Sequence, residues 1–139
     1  ENNAGQAEAF QYTATASGTV TTLAVYVDST NTATKIVVGL YSDTGANNPG
    51  TLLTSGTITS PVAGAWNSVT VPAATVVSGT KYWIAILGPT GAGIARFRDV
   101  PSGGGPTQTS SQTNLAVLPT TWSTGTKFGN APASAWGGQ

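Results

Sequence analysis

The chain has 139 residues, 39% of them apolar and only 7% charged, with five acids balancing five bases, where a globular domain usually carries about 25% charged residues. Zero net charge removes the electrostatic basis for binding nucleic acid or an anionic membrane surface. Cys and His are both absent, which excludes disulfides, zinc–thiolate sites, thiolate nucleophiles and imidazole bases.

In chain order, strand patterns recur and helical ones do not. "AFQYTATA" (residues 9–16) sets Phe10 and Tyr12 between polar neighbours. "TLAVYVD" (22–28) puts Leu23, Val25 and Val27 on one face, and Ala24, Tyr26 and Asp28 on the other. "KIVVGLYS" (35–42) puts Ile36, Val38 and Leu40 on one face and Val37, Gly39 and Tyr41 on the other. "DTGANNPG" (43–50) is turn chemistry. "TLLTSGTIT" (51–59), "WNSVTV" (66–71) and "TKYWIAIL" (80–87) follow as strands, with "GPTGAG" (88–93) as the next turn. "GIARFRD" (93–99) reads as a strand with Ala95 and Phe97 inward and Arg96 and Arg98 outward. "VPSGGGPTQTSSQ" (100–112) is the longest loop, "NLAVLP" (114–119) is a further strand, and a last one lies near Ala133 to Trp136.

Eight or nine short strands separated by turns predict an all-β sandwich with antiparallel Greek-key connections, of jelly-roll type, with almost no helix. The length suits one domain over residues 1–139. No apolar run approaches the ~20 residues of a membrane span, so no membrane insertion is expected. The Thr- and Gly-rich composition points to a secreted bacterial protein. The start at Glu1 fits a module excised from, or appended to, a larger one. In "VVSGTKYWIAI" (76–86), Tyr82 fits a tyrosine corner, in which a phenol bonds to nearby backbone where the chain enters a strand.

"VGLYSDTGANNPGTLLTSG", "GAWNSVTV" and "VVSGTKYWIAI" together resemble β-sandwich accessory modules of large secreted bacterial proteins, of the carbohydrate-binding-module type. The likeness spans residues 10–99, and "LPTTWSTGTKFGNAPASAW" also fits. It implies a non-catalytic monomeric module at the cell surface or outside the cell. Such a module is covalently linked to catalytic or surface domains and binds polysaccharide or oligosaccharide.

The residues support that expectation. A glycosidase needs two carboxyls about 5–10 Å apart, and Glu1, Glu8, Asp28, Asp43 and Asp99 show no pairing in sequence; no serine sits in a nucleophile elbow. A non-enzyme is expected. Asp43, Asn47 and Asn48 suit a plain turn, and the same oxygens are candidate ligands of one structural Ca2+.

Sugar recognition needs rings that stack on C–H faces and polar groups that meet hydroxyls. Trp66 is expected as a core plug, Trp136 as a pin for the last strand, and Trp83 opposite Tyr82. Trp122, in a loop-like stretch, is the candidate exposed platform. Tyr26, Asp28, Tyr41, Arg96 and Arg98 would share one outward face with it. Against this stand two plainer uses of the arginines: an ion pair of Arg98 with Asp99 or another acid, or charges guarding an edge strand. At the level of the module, the alternative to sugar binding is a structural or adhesive spacer.

Overall fold

The computed structural model describes residues 1–129 and 131–139. These form nine strands and no helix: β1 Ala7–Thr13, β2 Gly18–Val27, β3 Lys35–Asp43, β4 Pro49–Thr59, β5 Ala65–Val76, β6 Lys81–Leu87, β7 Thr107–Ser110, β8 Thr124–Phe128 and β9 Ala135–Gly138. A six-stranded sheet has the order β4-β3-β6-β1-β7-β8 and a three-stranded sheet the order β5-β2-β9. Their ladders are all antiparallel. The chain is a β-sandwich.

The alternating strands supply the core between the sheets. Leu23, Val25 and Val27 of β2 face Ile36, Val38 and Leu40 of β3, with Phe10, Ile84 and Ile86 beside them. Tyr82 makes its corner: its hydroxyl accepts a hydrogen bond from the Val77 backbone N–H at 2.9 Å.

The opposite face of the six-stranded sheet is also buried over its central strands β3, β6 and β1. Ala7, Ala9, Val37, Tyr41, Trp83, Ala85 and Leu87 pack there with Leu118 and Trp122, and Leu115 and Leu52 adjoin them. This corrects the expectation that Tyr41 faces solvent. A strand buried on both faces reads as a continuous apolar run, and "IVVGLY" (36–41) and "YWIAIL" (82–87) are such runs. The cover is the stretch expected as a strand, "NLAVLP", which forms no strand but drapes Leu118 onto Gly39. A Cβ at Gly39 would collide with that leucine.

Two other expectations change. "GIARFRD" makes only isolated bridges, Val27↔Phe97 and Asp99↔Ala133, although Ala95 and Phe97 do reach the core and Phe97 meets Phe10 edge-on at 5.6 Å. The expected long loop contains β7, which is buried throughout and pairs with β1 and β8. No helix of the described residues is long and apolar enough to cross a membrane.

Candidate functional site

The site lies on the outer face of the three-stranded sheet. Since Leu23, Val25 and Val27 point inward, Ala24 and Tyr26 of the central strand point out. On β5, Trp66 stands opposite Tyr26, Ser68 opposite Ala24 and Thr70 opposite Thr22. On the other side, Trp136 of β9 stands opposite Ala24 and Gly138 opposite Thr22. The face is therefore a floor of short side chains with two indoles raised at opposite corners. Trp66 is 52% exposed and Trp136 45%.

Local packing holds these rings. Trp66 meets Tyr26 edge-to-face at 5.8 Å, and the Tyr26 hydroxyl donates to the Gly64 carbonyl at 3.0 Å. A Cβ at Gly138 would sit only 3.4 Å from the Trp136 ring, so this glycine leaves room for the indole to lie close to the strand. The segment carrying the arginines continues the sheet beside the end of β2, through the Val27↔Phe97 bridge. It brings the Arg98 guanidinium over the Tyr26 ring, 4.5 Å from its centroid, a cation–π contact.

Both arginines are paired. Arg98 Nε bonds Asp28 Oδ2 at 3.2 Å. Asp28 Oδ1 accepts from the Thr30 hydroxyl at 2.7 Å and the Thr30 N–H at 2.9 Å. The Thr30 hydroxyl and N–H, aided by Arg98, hold the Asp28 carboxyl down at about 2. Arg96 pairs with Glu1 through Nε, and its Nη1 donates to the Thr30 carbonyl at 2.6 Å. That Arg96 bond lowers the Glu1 carboxyl. Arg96 thus ties the N-terminus to the turn after β2, whereas Arg98 belongs to the aromatic face. The ion pair weighed for Arg98 exists, with Asp28 as its acid.

Of the six residues expected on one ligand face, the structure brings together Tyr26, Asp28 and Arg98, with Arg96 at the margin. Tyr41 and Trp122 are elsewhere. Tyr41 is fully buried, donates to the Pro119 carbonyl at 2.6 Å and packs edge-on to Trp122 at 5.4 Å. Burial pushes its phenol up. Trp122 is 6% exposed, so it is no platform: the loop that carries it closes the second core. Trp66, expected inside, is outside. The alternation of "WNSVTV" already grouped Trp66 with Ser68 and Thr70, against Asn67, Val69 and Val71.

The oxygens of the 43–48 loop already accept hydrogen bonds. Asp43 Oδ1 takes the Trp83 Nε1 proton at 2.8 Å and one from Gln11 Nε2 at 3.2 Å; Oδ2 takes the Gly45 N–H at 2.8 Å. Asn47 Oδ1 accepts from Gln11 at 3.0 Å and from the Lys81 ammonium at 3.1 Å. Asn48 Oδ1 accepts from Gln108 at 2.7 Å. One carboxylate surrounded by N–H donors and an ammonium is not a donor set for calcium, which favours several carboxylate and carbonyl oxygens. Trp83 and the two glutamines use these oxygens to fasten the loop to the sheet.

No family model, curated protein or solved structure matches the chain.

Proposed function

We propose that this chain is a non-catalytic carbohydrate-binding module that holds polysaccharide on the outer face of its three-stranded sheet. Trp66, Tyr26 and Trp136 supply the stacking surfaces, and Arg98 with Asp28 supplies polar groups at the rim. One observation carries the reading: two half-exposed indoles share one sheet face with a phenol and a guanidinium. Leaving a large apolar side chain in water forgoes on the order of 1–3 kcal/mol of burial. A sugar's C–H face recovers part of that while its hydroxyls stay solvated.

The motifs that resemble accessory modules of secreted bacterial proteins support the same role: to hold attached catalytic or surface domains against their polysaccharide. A sheet face covers only one side of a sugar chain, so affinity is modest, with Kd on the order of micromolar to millimolar.

The test is a pull-down on insoluble polysaccharides followed by isothermal titration of the best soluble counterpart. Trp66→Ala and Trp136→Ala are each expected to weaken binding about tenfold, about 1.4 kcal/mol. Each also gives up packing of a half-buried indole, so a stability loss of about 1–2 kcal/mol is expected, and binding is compared well below the melting temperature of each variant. Unchanged binding in both variants sinks the proposal and leaves a structural or adhesive spacer.

A further inference from the structure

The three strands that build the aromatic face contain no charged residue: β2 is GTVTTLAVYV, β5 is AWNSVTVPAATV and β9 is AWGG. Charges enter only at the margin, and there they cancel. Arg98 is held by Asp28 and Arg96 by Glu1, two cations against two anions. The three lysines lie on strands of the other sheet: Lys35 on β3, Lys81 on β6 and Lys127 on β8. A uronate or sulfate reaching this face would find Arg98 already facing a carboxylate, and Asp28 would repel it.

Geometry adds a length. Trp66 and Trp136 sit two strands apart, in registers two residues apart along β2. Strand spacing and rise put their backbones about 12 Å from each other on the diagonal. Ser68 is exposed between them, whereas Ala24 is covered, at 1% exposure. That span exceeds a single sugar ring, so both indoles are engaged at once only by a chain.

We propose that the ligand of this face is an uncharged linear glycan, laid past the exposed Ser68 from Trp66 to Trp136. The inference rests on the carbohydrate-binding reading above and fixes its ligand class. Recognition comes from stacking and hydroxyl contacts, so binding is insensitive to salt. It also grows steeply with chain length until both indoles are covered, because the second contact is then intramolecular.

The experiment compares retention of the intact chain on neutral polysaccharides (glucan, xylan, mannan, galactan) and acidic ones (polygalacturonate, alginate). Each is run at low salt and at about 1 M salt, where exposed charges are screened beyond a few ångströms. The neutral glycan that retains the protein is then titrated as a monosaccharide and as oligosaccharides. The expected result is salt-independent retention by at least one neutral glycan, none by the acidic ones, and a monosaccharide at least tenfold weaker than the longest oligosaccharide.

A second arm uses Asp28→Asn, which leaves Arg98 without its carboxylate. This variant is expected to gain salt-sensitive retention on polygalacturonate that the parent lacks. The inference fails if the parent binds an acidic polysaccharide in a salt-sensitive way. If Trp66→Ala abolishes that binding, the face still stands as the site and only the ligand class is wrong. Retention by no polysaccharide overturns both the ligand class and the carbohydrate reading. Monosaccharide binding as tight as that of the oligosaccharides overturns the two-indole chain.

Discussion

Two tyrosines show how much a single hydroxyl depends on where its partner lies. Tyr41 donates to the Pro119 carbonyl from a fully buried ring. Tyr82 accepts from the Val77 N–H at an exposed corner. Removing the first hydroxyl strands a carbonyl against the second core. Removing the second leaves an N–H that water can reach. Tyr41→Phe is therefore expected to cost about 1–3 kcal/mol and Tyr82→Phe about 0.5–1.5 kcal/mol. Chemical denaturation of the two variants side by side checks the order, and a larger loss for Tyr82→Phe contradicts it. The same contrast separates the tryptophans. Trp83 is fully buried and spends its N–H on Asp43. Trp66 and Trp136 lie half in water and are free to stack.

Among the elements, the stretch from Leu115 to Trp122 carries weight out of proportion to its lack of regular structure. Leu118 inserts over Gly39, where any side chain on the strand would collide with it. Leu118→Ala is expected to cost about 2–5 kcal/mol, the range for emptying a buried leucine site. Gly39→Ala is expected to destabilise by about 1–3 kcal/mol by overpacking the same spot. Melting curves of both variants decide it, and a neutral Gly39→Ala would mean that the cover lifts freely.

Period-two patterns made β2, β3, β5 and the inter-sheet core legible, because one face of each alternates cleanly. They also placed Arg98 outward with Tyr26 and Asp28. They failed where a second layer intervened. Val37 and Tyr41 looked like an outer face because alternation alone was followed there, although the near-continuous apolar runs around them are what a strand buried on both faces shows. β7 was hidden for the converse reason: "TQTS" is buried yet polar, and its ladder partners β1 and β8, not its side chains, make it a strand. Trp122 was misplaced because a tryptophan in a loop-like stretch can close a core as readily as it can stand on a surface.

For the whole molecule, the sandwich is unequal. The six-stranded sheet carries hydrophobic packing on both faces and the three-stranded sheet on one. The face proposed to bind glycan thus rests on the thinner layer, and protection from solvent is graded through the fold. Backbone amides of β6, with β1 and β3 on either side and side chains packed above and below, should exchange with deuterium most slowly. Those of β5 and β9, the edges of the open sheet, should exchange faster. A ligand that binds only the native face raises the cost of opening that layer by RT ln(1 + [L]/Kd). Saturating glycan should therefore slow exchange most in β2, β5 and β9 and least in β6. Slowing spread evenly over both sheets would mean that the module opens only as a unit.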